Sequence, residues 1–148
     1  MPGKYYEELE VGQKFVSPAR TVTETDIVLF AGLSGDYSLP HTNAEWCKTT
    51  PFGKKIAHGL LIASITSGLF TRTGLFEETG LAHLGTTMKF TAPVYAGDTV
   101  YVEFTIMDKK EMDVNRGRLA IRLETFNQKG EMVYHEDMKS MIARKPVS

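Results

Sequence analysis

Cysteine is nearly absent: one residue, Cys47, in 148. That excludes an internal disulfide framework and suits a reducing compartment. Cys47 follows Trp46, and no neighbour is placed to lower its pKa, so it reads as a small buried apolar residue. Charge of one sign is also missing. Lys and Arg number 17 against 18 Asp and Glu, for a net charge of −1, so there is no basic surplus for a nucleic acid. No long apolar run is present. The most apolar stretch, residues 59–70, is interrupted by Ser64, Thr66, Ser67 and Gly68 and is too short to cross a bilayer. The opening MPGKYYEELEVGQ lacks the apolar core of a signal peptide, and a cytoplasmic or organelle-matrix location is the default expectation. Repeats, low-complexity tracts and flexible linkers are missing too, so one domain over residues 1–148 is expected.

What is present is a series of short punctuated segments. Lys14–Val22 reads as a first strand. Thr23 is a candidate N-cap with Asp26 three residues on, the arrangement of a capping box. A short helix follows through Ile27, Val28, Phe30, Ala31 and Leu33, ending around Gly32–Gly35. Residues 35–43 are dense in turn formers, and Ala44–Lys48 reads as one helical turn stopped by Pro51, Phe52 and Gly53. From Ile56, the apolar residues Leu60, Leu61, Ile65 and Leu69 recur at helical spacing. Small residues occupy much of the remainder, and Gly74 is a stop signal. A helix apolar on most sides is a buried one.

Beyond it the period changes. Leu84–Thr91, Thr99–Asp108, Arg118–Asn127 and Met132–Ala143 are strand-like. They are joined by hairpin-type turns at residues 95–98, 113–117 and 128–131. The economical arrangement is α+β: a curved antiparallel sheet wrapped around the long central helix. Most methionines read as core filler or strand faces.

Two polar residues stand out in the turn-rich loop, Asp36 and His41. Taken singly, Asp36 reads equally well as an Asx-turn residue and His41 as a surface histidine. Their context changes the weighting. The segment Phe30-Ala-Gly-Leu-Ser-Gly-Asp36-Tyr-Ser-Leu-Pro-His41, followed by Pro51-Phe-Gly-Lys-Lys-Ile-Ala-His58-Gly59-Leu-Leu, resembles the MaoC-like hydratases. The later Lys89-Phe-Thr-Ala-Pro93-Val-Tyr-Ala-Gly97-Asp98 is similar to a strand and turn of the same family.

The resemblance implies a single hotdog fold and reversible hydration of trans-2-enoyl-CoA to an (R)-3-hydroxyacyl-CoA. It implies that Asp36 and His41 hold the reacting water and that the Gly59 N–H polarises the thioester carbonyl. His58 reads as a structural residue that orients the helix start. The family can place a polar residue near the carboxylate at the position of Ser67, which reads equally well as a helix serine bonded back to the preceding turn. Tyr37 reads as packing beside the turn or as a wall of the acyl pocket. Lys54, Lys55 and Lys89 are candidates for the CoA phosphates, although paired lysines are also ordinary turn chemistry. No metal or prosthetic group is implied; a metal held by Asp36, His41 and His58 lacks a compact ligand motif. A homodimer formed edge to edge is implied, with neither nucleic acid nor membrane as partner. One departure is visible. The family commonly reads Asp-x-Asn-Pro-aliphatic-His, and here Ser38-Leu39-Pro40 fills the interval. Two rivals remain open on sequence: a hotdog acyl-CoA thioesterase, and a non-catalytic acyl-CoA-binding or assembly module.

Overall fold

The computed structural model describes residues 3–147. After a single 3-10 turn at Tyr6–Glu8, the order is β1 (Lys14–Val16), β2 (Arg20–Thr21), α1 (Glu24–Ser34), α2 (Leu39–Thr42), α3 (Ala44–Cys47) and α4 (Gly59–Thr71). Four long strands follow: β3 (Gly80–Phe90), β4 (Thr99–Glu111), β5 (Arg116–Phe126) and β6 (Met132–Ala143). All pairings are antiparallel. The sheet runs β1-β4-β5-β6-β3, and the short β2 also pairs with β4.

Alternation makes one face of this sheet apolar. Val100, Val102, Phe104 and Ile106 of β4 are buried, as are Leu119, Ile121 and Leu123 of β5 and Val133, Met138 and Ile142 of β6. The buried Leu61, Ile62, Ile65 and Leu69 of α4 belong to the same core. One polar link crosses this interface: the buried Thr66 and Thr125 hydroxyls hydrogen-bond at 2.7 Å. Register shifts at Ile106/Asp108, Thr125/Phe126 and twice in β3 mark bulges, which bend a strand and let a sheet wrap a helix.

Several expectations need adjusting at their edges. The first strand is split, because Pro18 has no N–H for the ladder. Ser17 bridges the gap, its Oγ accepting the Val102 N–H at 2.9 Å. The central helix begins at Gly59 and not at Ile56. The Ile56 and Ala57 N–H groups are instead given to Pro40 O at 3.0 Å and Val94 O at 2.7 Å, which holds this segment outside the helix. Strand β3 starts at Gly80, four residues before the expected Leu84, because pairing with β6 extends it. The turn-rich loop contains the short α2, where Pro40 falls in the first turn and its missing N–H costs nothing. Met138 is buried, whereas Met107 and Met112 are about half exposed and fill no core.

Strand β3 is an edge, paired only with β6 and exposed along its length. Leu81, Leu84, Met88 and Phe90 on it are all substantially exposed. No helix among the described residues is long and apolar enough to cross a membrane.

Candidate active site

Helix α1 delivers the loop. Its capping box is formed as the sequence predicts: Thr23 Oγ1 accepts the Asp26 N–H at 3.1 Å and Asp26 Oδ2 accepts the Thr23 N–H at 2.8 Å. At the other end Gly35 adopts φ 74°, a left-handed conformation that favours glycine, and its N–H caps Ala31 O at 2.9 Å. The chain then turns into Asp36. The Ser38 N–H donates to Asp36 Oδ1 at 3.1 Å, and the Ser38 hydroxyl donates to the same oxygen. These two bonds, the hydroxyl first, hold the Asp36 carboxyl below its ordinary pKa against a small burial effect, and the nearby His58 and His41 lower it further. Asp36 is exposed and ionised, with Oδ2 uncommitted.

His41 lies one turn on, in α2. Its Nδ1 is 2.7 Å from Ile56 O. A carbonyl only accepts, so Nδ1 carries the proton and Nε2 is left as an acceptor. The two segments are joined twice, since Pro40 O also takes the Ile56 N–H at 3.0 Å. Cys47 supports this turn from below, its Sγ donating to Pro40 O at 3.4 Å.

His58 is buried and precedes α4. Its Nε2–H donates to Asp36 O at 2.9 Å, fixing the backbone that bears the carboxylate. The His41 and His58 rings stack with centroids 3.9 Å apart, and Phe30 packs on His58 at 4.9 Å. One ligand-capable atom from each of Asp36, His41 and His58 lies within 4.8 Å of the other two. Hydrogen bonds already engage His41 Nδ1 and His58 Nε2, and His58 Nδ1 is buried without a partner. Asp36 Oδ2, His41 Nε2 and His58 Nδ1 are the atoms left without a partner among the described residues.

Gly59 opens α4. The first intrahelical bond is Ile62 N–H to His58 O at 3.2 Å, and His58 supplies no side-chain cap. The Gly59 N–H takes no partner among the described residues and sits at the positive end of the helix. The Phe90 ring covers it so closely that a Cβ on residue 59 would lie 2.8 Å from Phe90 Cε1. His41, Gly59, Phe90 and Val133 are among the walls of one cleft of about 350 Å³. A second, of about 550 Å³, follows α4 from Leu60 to Ser67 against β3, β5 and β6.

The structure therefore brings Asp36, His41, His58 and Gly59 together. Ser67 lines the second cleft, two turns along α4 from Gly59. Tyr37 is exposed. Lys54 Nζ lies 4.7 Å over the Tyr95 ring, and Lys55 pairs with Glu24. Lys89 alternates with Met88 and Phe90, which line the clefts, and so falls on the opposite face of β3. Sequence reasoning missed the Ile56 carbonyl, the Ser38 hydroxyl, Phe30 and Phe90. All four stand inside the quoted motifs, but none of those motifs says what its backbone or side chain would contact.

The profile of the MaoC like domain matches residues 7–127. The chain belongs to the MaoC-like dehydratase family, and its fold is a single hotdog. It is similar to the (R)-specific enoyl-CoA hydratase of Rhodospirillum rubrum, 41% identical over 103 residues, covering 69% of this chain and 69% of that one. It is 37% identical over 107 residues to Protein MaoC of Klebsiella aerogenes, covering 72% of this chain but only 31% of that longer protein. Among solved structures, the MaoC-like dehydratase from Rhodospirillum rubrum superposes with a TM-score of 0.89 at 29% identity, covering 98% of this chain and 100% of that one.

Proposed function

We propose that the protein is a hydro-lyase that reversibly hydrates trans-2-enoyl-CoA to (R)-3-hydroxyacyl-CoA. The observation that carries this reading is the coincidence of two uncommitted acceptors, Asp36 Oδ2 and His41 Nε2, with an uncommitted donor at Gly59. One water donating two hydrogen bonds of about 2.8 Å bridges acceptors roughly 4.4 Å apart, and one ligand-capable atom from each of Asp36, His41 and His58 lies within 4.8 Å of the other two. With both its hydrogens engaged, the water presents a lone pair to C3.

The water oxygen bonds to C3 and the C2–C3 π pair moves to the thioester oxygen as an enolate. The Gly59 N–H and the α4 dipole stabilise that oxyanion. Asp36 is the weaker base, its carboxyl being held low by Ser38, so His41 Nε2 takes the water proton. The enolate then collapses and C2 takes that proton back from His41. Dehydration runs the same steps in reverse. Asp36 holds the water throughout, and His58 holds Asp36.

The exposed β3 edge, with Leu84 and Met88 upon it, supports a homodimer joined edge to edge through this strand. The test of the reaction is direct. Purified protein given crotonyl-CoA should remove the conjugated enoyl absorbance without releasing thiol, and His41→Gln and Asp36→Asn should each slow it at least ~10²-fold. Free CoA appearing at the rate of substrate loss would replace the assignment with thioester hydrolysis. Undiminished rates in both variants would remove the proposed roles.

A further inference from the structure

The second cleft is not apolar throughout. Glu136 of β6 is only 6% exposed, yet it lines this cleft. Its cross-strand partners Leu123 and Met88 line it as well, so the carboxyl stands mid-sheet opposite α4. Its two oxygens are used unequally. Oε2 accepts the Tyr134 hydroxyl at 2.9 Å and the Thr86 hydroxyl at 2.9 Å. Oε1 takes no hydrogen bond from the described residues. It is not sealed in either: the sealed, unpartnered side-chain atoms are His58 Nδ1 and Thr79 Oγ1. Oε1 is thus an acceptor left open to the cleft.

A buried carboxyl oxygen without a donor is costly, and an alkyl chain laid against it would strip its remaining water and return nothing. The cleft starts at Leu60, beside the free N–H of Gly59, and reaches Ser67, about 10 Å further along the helix. That is where the acyl tail of a thioester held at Gly59 would run. We infer that Glu136 selects the acyl chain: the site prefers enoyl thioesters that carry a hydroxyl group on the distal part of the chain, donated to Glu136 Oε1. This rests on the thioester reading above and deepens it by naming a substrate class. Glu136 is a specificity residue: its partner Met88 stands two residues along β3 from Phe90, the ring packed on Gly59.

The test uses the whole protein and matched saturated CoA thioesters: unsubstituted octanoyl-CoA, and octanoyl-CoA with a hydroxyl or a keto group walked along C4 to C7. Binding is followed by calorimetry. One hydroxyl position should bind at least ~10-fold more tightly than the unsubstituted chain and more tightly than its keto counterpart. The variant Glu136→Gln keeps an oxygen for Tyr134 and Thr86 and turns an N–H₂ donor toward the cleft. It should shift the ratio toward the keto chain, which a purely structural glutamate would not do. Equal affinity for all three chain types at every position would overturn the inference, as would an unchanged hydroxyl-to-keto ratio in Glu136→Gln. Failure of crotonyl-CoA hydration alone would sink the hydratase assignment and leave the binding series to decide the pocket. Failure to bind any thioester would overturn both.

Discussion

The substitution Gly59→Ala separates the site from the scaffold. The added Cβ would lie 2.8 Å from Phe90 Cε1 and 2.9 Å from Cδ1. Carbon atoms rest at about 3.5–4.0 Å, so the ring must retreat by roughly 0.7–1.2 Å. Phe90 is about half exposed and free to swing, so the fold absorbs the change. The expected loss of stability is about 1 kcal/mol or less, a fall in Tm of no more than about 2–4 °C at this chain length. Activity should suffer far more. Phe90 and Gly59 wall the same cleft as His41, and a displacement near 1 Å at a reacting centre costs on the order of 10²-fold in kcat/KM, about 2.7 kcal/mol of barrier. The assay is steady-state hydration of crotonyl-CoA beside a thermal melt. Phe90→Leu serves as a control, and Gly59→Ala/Phe90→Leu should recover most of the loss because the clash is gone. A Gly59→Ala enzyme within about threefold of wild type would refute the claim that the cleft needs Phe90 packed against residue 59. A double variant no better than the single would refute the route through Phe90.

Other perturbations test the scaffold. Thr66→Val strands the buried Thr125 hydroxyl and should cost about 1–3 kcal/mol, seen as a shifted urea midpoint. Thr66→Val/Thr125→Val should cost less than the sum of the two single changes, and strict additivity would show the pair to be uncoupled. Glu7 ties the first segment to Arg144 and Lys145. Burial would raise its pKa, but the Arg144 side chain and the Lys145 N–H overcome that and bring it from 4.5 to about 2. Its contribution is present above the unfolded value and is lost as pH falls from about 4.5 toward 2. Glu7→Gln should therefore lower stability at neutral pH by about 1 kcal/mol, allowing for solvent screening, and flatten the acid limb of the stability curve. An identical acid limb in the variant would contradict this. Finally, Leu84→Lys on the open β3 edge should shift the mass measured by light scattering from dimer to monomer; a monomeric wild type would remove the proposed interface.

Much of this protein was legible in its sequence. The capping box at Thr23 and Asp26, the left-handed stop at Gly35 and the alternation along β4, β5 and β6 are local matters, set by side-chain chemistry within a few residues. Asp36, His41 and Gly59 were also visible, because their spacing stands in a recognisable motif. What tertiary structure alone decided involves groups distant in the chain. Ile56 reads as helix by its period, yet its N–H and C=O are claimed by Pro40 and His41, so α4 starts three residues later. The same contact leaves Nε2 as the free nitrogen of His41, which no sequence pattern specifies. Lys89 and Phe90 are adjacent in sequence and fall on opposite faces of β3, one away from the clefts and one over Gly59. Glu136 becomes a cleft residue only because β3 and β5 flank it and α4 lies across from it. Local propensity acts through neighbours along the chain, whereas a ring tautomer, a facing side chain and an open carboxyl oxygen depend on groups that only folding brings near.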